Sequence, residues 1–353
     1  MQRKKLSSQL ASLHAKTRPA APPSDSMQPA GIDRVVSTGS TLLDLAISGG
    51  RFREGGIPFG VLVEIFGPSG TGKTVLLCQI AGNVQKMNGG IMFHDPEARL
   101  NTQFAKMFGL DPSNFSYTIP DTIPQVFKGV RDWAGNEEAL SKNAVHAVFA
   151  DSLAALSTDM EMTKEEGDKM GMRRAKEFSE ELRKTCRIIT QHNLLMVCSN
   201  QVRQNLDAGP YGQRYASPGG EAIGFYSSLR LRCHSPQKVK LKRRVKGQEH
   251  ERVVGIKTDI EVHKSSIWKP YHSAEIFILF DYGIDDIRGN LKYLKSTTGD
   301  SVYKLGDRKL DKSIDEAIRI VEEEGLEAEV KEATINLWNE VERSFDGERK
   351  PRA

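Results

Sequence analysis

Residues 67–74 read GPSGTGKT, a glycine-rich run that ends in Lys73 and Thr74 and fits the pattern G-x-x-x-x-G-K-[ST]. Such a run does phosphate chemistry. Gly70 and Gly72 let backbone N–H groups turn inward around phosphate oxygens. A helix that starts there points its positive dipole end at them. Lys73 then reaches the β- and γ-phosphates of a nucleoside triphosphate, and the Thr74 hydroxyl holds Mg²⁺. The expected cofactors are a nucleoside triphosphate and Mg²⁺, and the candidate binding residues are Gly67, Pro68, Ser69, Gly70, Thr71, Gly72, Lys73, Thr74 and Val75.

A magnesium ion on a phosphate loop needs a second protein contact. VHAVFADS ends an apolar run in Asp151, which suits that role. GGIMFHDPEA ends in Asp95 and Glu97. One of these two acids is placed to orient or deprotonate an attacking water. Each acid also has a plainer use as a helix N-cap.

The elements that must position these groups are legible. VLVEIF (61–66) reads as a strand before the loop, and KTVLLCQIAGNVQKM as a helix after it, the context a phosphate loop requires. GGIMFHD (89–95), AVHAVFAD (144–151) and NLLMVCSNQ (193–201) read as further strands. A long amphipathic helix, MGMRRAKEFSEELRKTCRIITQH, separates the last two. Alternating strands and helices predict a mostly parallel sheet covered on both faces. Ligands meet such a sheet at the C-terminal ends of its strands, where Asp151 falls. YSSLRLRC, VVGIKTDIEVHK and AEIFILFD read as hairpins that extend the sheet. DEAIRIVEEE and EVKEATINLWNEVERS read as two helices of a small appended domain. No repeat of 20–50 residues is present.

Composition narrows the class. With 38% hydrophobic and 27% charged residues the chain suits a globular protein with a real core. No apolar run of 18 residues exists, so no membrane partner is expected. The first 24 residues hold Arg3, Lys4, Lys5, Lys16 and Arg18 and no acid. No apolar stretch follows them, which excludes a secretory signal and leaves a basic helix or an organelle transit segment as alternatives. TRPAAPPSDSMQPAG (17–31) reads as a linker. The four cysteines form no C-x-x-C pair, and no histidine stands at zinc-ligand spacing. Residues 311–343 carry eleven acids and four bases, a net of −7, so the rest of this +4 chain carries +11. A basic body beside an acidic C-terminal segment points to a polyanionic partner, with ordinary surface charge as the alternative.

VSTGSTLLDLAISGG (36–50), VEIFGPSGTGKT (63–74), FHDPEA (93–98), ADSLAAL (150–156), SNQVR (199–203) and PGGEAIGFYSSLRLR (218–232) come in the order and spacing of the bacterial RecA family. The chain resembles that family across residues 34–285. The resemblance implies an α/β fold: a RecA-like P-loop ATPase core with a mostly parallel central sheet flanked by helices, a short N-terminal arm and a small helical C-terminal domain. It divides the chain into an arm and linker for oligomerisation (1–33), the core (34–290) and a C-terminal domain (291–353). It implies a DNA-dependent ATPase of the cytoplasm of a bacterial or phage-infected cell, which makes the nucleoside triphosphate ATP. Its expected partners are single-stranded DNA, double-stranded DNA and copies of itself in a helical filament that exchanges strands.

Residue roles follow from the same resemblance. Glu97 matches the glutamate that activates water. Phe104 matches the aromatic that stacks on adenine, with Asn101 as a polar contact to the base. The residues alone favour a core position for Phe104. Gln201 matches the glutamine that senses the γ-phosphate, whereas a capping amide is its plainer reading. Residues 202–218 match the second DNA-binding loop. There Arg203 and Arg214 meet phosphates, Tyr211 and Tyr215 stack on bases, and Gly219 and Gly220 follow. Residues 157–171 match the first DNA loop; Met162, Met170, Arg173, Arg174 and Lys176 are its candidate contacts, or else a solvated basic helix face. Lys238, Lys240 and Lys242 share one side of a strand and either capture duplex DNA at a second site or guard a sheet edge. Lys264 matches the first of two lysines that reach a neighbouring subunit's γ-phosphate. The second position holds Ser266, so Lys269 is the candidate substitute. The ends of the chain depart from the bacterial pattern. A ring-forming translocase, a regulatory paralogue that does not exchange strands, and a nucleotide-dependent structural binder are the rival readings.

Overall fold

The computed structural model describes residues 34–134, 145–163, 170–204, 215–216 and 221–345. Its centre is a ten-stranded sheet. In chain order the strands are β1 (Leu62–Gly67), β2 (Ile91–His94), β3 (Ser116–Thr118), β4 (Ala147–Ala150) and β5 (Leu195–Gln201). There follow β6 (Leu229–Cys233), β7 (Gln237–Val245), β8 (Gln248–Ser265), β9 (Ser273–Leu279) and β10 (Gly283–Ile284). Across the sheet the order is β10-β9-β8-β6-β1-β5-β4-β2-β3, with β7 paired to β8. Strands β6, β1, β5, β4, β2 and β3 run parallel. Strands β7 to β10 are antiparallel. The mostly parallel α/β core is therefore the architecture found.

Helices cover both faces because the central strands bury both. Along β4, Ala147 and Phe149 join one core cluster, and Val148 and Ala150 join the other. The first cluster packs against α1 (Thr41–Ser48) and α2 (Lys73–Lys86), through Leu43, Ile47, Leu76 and Ile80. The second meets Phe127 of α4 (Ile123–Ala134) and Phe178 and Leu182 of α5 (Met170–Gln191). The short α3 (Thr102–Met107) and α6 (Glu221–Tyr226) lie at the strand ends. Two-sided burial is why these strands read as continuous apolar runs rather than as alternations. Cys78, Cys198 and Cys233 are buried free thiols within these layers.

Helix α2 must pack close to the chain that follows α3. A Cβ on Gly82 would sit 2.0 Å from the Gly109 carbonyl oxygen. Gly82→Ala is expected to destabilise the fold by about 1–3 kcal/mol through overpacking, read as a lower urea midpoint at unchanged slope.

The C-terminal segment contains α7 (Asp286–Thr298), α8 (Ile314–Glu324) and α9 (Glu327–Ser344). Leu291, Ala317, Ile318, Val321 and Val330 make a small cluster there. Residue 290 falls inside α7, so a boundary at that point would cut a helix. Asp286 ties α7 to α1, accepting from Thr41 N at 2.7 Å and Thr41 Oγ1 at 2.6 Å. Ile335 and Trp338 of α9 pack on Leu45 of α1.

Strand β8 is longer than VVGIKTDIEVHK predicts. It extends back to Gln248, because β7 pairs with it from Lys257 to Gln248. Lys246 and Gly247 close this hairpin with positive φ at both positions, the geometry of a two-residue turn that matches strand twist.

Candidate functional site

The chemistry-bearing residues converge where β1, β2, β4 and β5 end. β1 runs into the phosphate loop, and α2 starts at Lys73. Gly72 is left-handed (φ 87), and a Cβ there would lie 2.2 Å from Ile278 Cδ1. Gly70 is also left-handed, with nothing within 4 Å of a Cβ placed on it. The loop is thus walled by β9 beneath Gly72 and open above Gly70. Lys73 is buried, and its Nζ donates to the carbonyl oxygens of Gly67 (3.1 Å) and Pro68 (2.6 Å). Burial lowers its pKa, opposed by Cys233, Asp151 and Glu97. Val75 faces the core.

Asp151 follows β4 directly. Thr74 Oγ1 donates to its Oδ2 at 2.5 Å, and Ser199 Oγ donates to its Oδ1. Burial pushes the Asp151 carboxyl up, the two hydroxyls pull it down, and nearby Asp95 and Glu97 push it up again. A hydroxyl and a carboxylate in contact beside a phosphate loop fit Mg²⁺, which takes one or two carboxylates and completes its shell with phosphate oxygens and water. Among the described residues no cluster of three or more His, Cys, Asp or Glu side chains forms a cage that would hold a metal alone. Thr74 and Asp151 are the residues that would hold the ion, and the loop with Lys73 would hold the phosphates.

The two acids after β2 divide their tasks. Asp95 Oδ2 accepts from Leu100 N at 2.7 Å and from Tyr117 Oη at 2.8 Å, so it pins the turn 95–100. Glu97 instead faces the site, accepting from Ser152 Oγ at 3.0 Å and pairing with Arg99 at 2.6 Å. Asn101 caps α3, accepting from Gln103 N (2.8 Å) and Phe104 N (3.0 Å). Phe104 is half-buried against the first core cluster, edge-on to Phe108 with centroids 4.4 Å apart. That is the packing its helical spacing alone predicts.

Gln201 ends β5 level with Gly67 of the phosphate loop. Its continuation is the expected second DNA loop. Arg203 and Tyr215 belong to a short antiparallel pair whose side chains lie outside the described set. Tyr211, Arg214, Gly219, Gly220 and the side chain of Met170 also lie outside the described residues. Of the first-loop candidates, Met162, Arg173 and Lys176 are exposed. Arg174 turns inward, donating to the carbonyls of Leu153 (2.9 Å) and Ala154 (2.8 Å), so it braces the turn after Asp151.

Lys264 Nζ donates to the carbonyls of Gly224 and Phe225, each at 2.8 Å, at the last turn of α6. Ser266 bonds to the Ser228 carbonyl. Lys269 stands over the Trp268 ring and 3.9 Å from Glu342 of α9. An acid of the C-terminal segment therefore engages the lysine proposed as a substitute.

On the β7–β8 hairpin, Lys240 and Lys242 pair with Glu251 (2.8 Å) and Glu249 (2.9 Å). The sequence does not indicate these partners, because register decides which acids stand beside which lysines. The register puts Arg243, His250 and Arg252 on the opposite face with Leu241 and Val245, and no acid shares it.

Sequence reasoning passed over Ser199, Ser152 and Arg99. Ser152 and Ser199 lie inside motifs and Arg99 follows one, yet a serine has no pattern that marks it as a carboxylate's donor. It also passed over Glu64, although an acid inside VLVEIF is a signal, since a buried charge requires a partner.

Residues 26–285 match the family description "RecA N-terminal domain". The curated "Protein RecA" of Thermus aquaticus is 36% identical over 255 residues, covering 72% of this chain and 69% of that one. "Protein RecA" of Symbiobacterium thermophilum is 32% identical over 289 residues, covering 80% and 77%. "Protein RecA" of Borrelia hermsii is 32% identical over 313 residues, covering 87% and 81%. With a phosphate loop, a Thr74–Asp151 pair and Glu97 gathered at the ends of a mostly parallel sheet, and with this extent of match, the chain belongs to the RecA family.

Proposed function

We propose that the protein is an ATP-dependent recombinase that assembles on single-stranded DNA as a helical filament, pairs it with a homologous duplex and exchanges strands. One observation carries the reading: Gln201 lies level with the first residue of the phosphate loop and leads straight into residues 202–218. A strand tip that touches nucleotide at one end and a DNA-binding segment at the other couples ATP state to DNA affinity.

In this reading Lys73 and the loop amides hold the β- and γ-phosphates, and Thr74 and Asp151 hold the magnesium ion. Bound Mg²⁺ neutralises charge on the transferring phosphoryl group. Glu97 takes the proton of the attacking water, with Ser152 and Arg99 fixing its carboxylate. Asn101 and Phe104 border the base. Gln201 reports the γ-phosphate, and Lys264 supplies a cation across the subunit interface. That last step requires Lys264 to leave the α6 carbonyls. Single-stranded DNA meets Arg203, Tyr211, Arg214, Tyr215, Gly219 and Gly220 of the second loop, and Met162, Met170, Arg173 and Lys176 beside the first.

Gly72→Ala is expected to weaken ATP binding roughly tenfold, since a non-glycine residue forced to positive φ costs on the order of 1–3 kcal/mol. A fluorescent-nucleotide titration reads it. For the duplex, the acid-free hairpin face is the better docking surface. Arg243→Ala with Arg252→Ala is expected to flatten the salt dependence of duplex binding by about two units of slope. Lys240→Ala with Lys242→Ala, whose charges are already paired, is expected to change it less. Equal effects would remove the distinction between the faces.

A regulatory ATPase that binds DNA without exchanging strands is the second reading. Ser266 and the engagement of Lys269 by Glu342 support it. ATP hydrolysis with and without single-stranded DNA, with imaging of the assemblies, separates the two. DNA-stimulated turnover with helical filaments supports the recombinase, and turnover indifferent to DNA supports the regulator.

A further inference from the structure

Glu64 lies in the middle of β1 and is fully buried. Asn200 Nδ2 donates to its Oε1 at 3.0 Å, and Arg230 Nε donates to its Oε2 at 2.6 Å. These residues stand on the adjacent strands β5, β1 and β6 and share one face of the sheet.

The row continues at both ends. On the β5 side, Asn200 Oδ1 accepts the backbone N–H of Gln201 at 3.0 Å. On the β6 side, the Arg230 guanidinium lies over Phe66, 4.4 Å from its centroid, and against α6, where a methyl on Gly224 would come within 3.0 Å of Cζ. Lys264, level with Arg230 on β8, donates to the carbonyls of Gly224 and Phe225. A continuous series of contacts thus joins Gln201 to α6. Gln201 and α6 border residues 202–220 on either side.

We propose that Asn200, Glu64 and Arg230 are positioning residues that hold these two flanks in register, so that nucleotide state reaches the DNA-binding segment through the sheet as well as along the chain. The proposal rests on the reading of Gln201 as a nucleotide contact and of 202–218 as a DNA loop. Stability alone does not explain the row. A buried ion pair exchanged for apolar side chains of similar volume is often neutral or stabilising. What apolar residues cannot reproduce is the directional hold on the Gln201 amide and on α6: a planar guanidinium and a carboxylate fix angles as well as distances.

The test uses the full chain with Glu64→Leu and Arg230→Met combined, which removes the ion pair without stranding a charge and takes from Asn200 Nδ2 its carboxylate acceptor. Three quantities are compared with wild type: melting temperature, affinity for a fluorescent ATP analogue without DNA, and affinity for an oligo-dT probe in slowly hydrolysed ATP analogue against ADP. The expected result is a folded protein whose melting temperature falls by no more than the loss of one buried hydrogen bond, near wild-type analogue affinity, and a ratio of the two DNA affinities reduced roughly tenfold. Asn200→Ala cuts the row at its other end, leaves the ion pair in place, and is expected to reduce the same ratio. If the double variant does not fold, Asn200→Ala decides. A wild-type ratio in folded variants overturns the proposal while leaving the recombinase reading intact. A wild-type protein whose DNA affinity ignores the nucleotide overturns both.

Discussion

If Glu97 is the general base of the proposed reaction, Glu97→Gln is expected to lower DNA-stimulated ATP turnover by about 10²–10⁴-fold, the range over which a positioned general base acts, while nucleotide and DNA binding persist. The substitution keeps the shape and the hydrogen bond from Ser152 Oγ, which stands 3.0 Å from the Glu97 carboxylate. It removes the carboxylate that takes the proton in the proposed reaction. It also removes the ion pair with Arg99, a side chain that is 79% exposed. Glu97 itself is 18% exposed, but with the arginine in solvent the pair contributes little, so the melting temperature is expected to hold. The assay is steady-state hydrolysis with saturating single-stranded DNA, beside binding of a fluorescent oligonucleotide. Wild-type turnover would move the base to another residue. Asp95 would be a poor heir, because its Oδ2 already accepts from Leu100 N and Tyr117 Oη.

The second large effect is at Lys73. Lys73→Ala is expected to lower turnover by about 10²–10³-fold, the usual loss when one preorganised electrostatic group is removed from a developing charge. Lys73→Arg is expected to fail nearly as badly. The ammonium sits between the Gly67 and Pro68 carbonyls at 3.1 and 2.6 Å. A compact ion on a flexible stem can exchange those oxygens for phosphate oxygens, whereas a planar guanidinium has a different shape and donor fork. Hydrolysis assays on both variants, with nucleotide titrations, check this. An arginine variant of near wild-type activity would show that charge near the loop suffices and that the seat does not matter.

Much of the site was legible in the sequence because its residues are consecutive. The phosphate loop needs glycines, a lysine and a hydroxyl at fixed spacing, and backbone geometry then supplies the cradle. Asp151 was legible for a related reason, and the place of Gln201 at a strand end likewise, whereas the role of Gln201 came only from the family resemblance. Each ends an apolar run, and a strand that is buried on both faces shows in the sequence as an uninterrupted stretch.

Pairings between distant strands were not legible. That Asp95 pins a turn while Glu97 faces Ser152 depends on where β4 brings residue 152. Arg174 looked like a basic surface contact by type, yet the turn after Asp151 draws it inward. For the lysines of β7 the sequence leaves duplex capture and a charged sheet edge both open, and only register sets Glu249 and Glu251 beside them. Lys269 faces Glu342 only because α9 packs back on α1 through Trp338 and Leu45.

The sequence by itself determined four of the central strands, the helix after the phosphate loop and the long helix before β5, the loop itself and the acids near it, since each rests on local spacing and on apolar periodicity. Tertiary structure alone decided which charged groups are paired, which face of the hairpin is free of acids, and that Glu64, Asn200 and Arg230 meet. Ion pairs and hydrogen bonds require atoms within about 3 Å of each other, and for strands far apart in the chain only sheet order and register bring them that close.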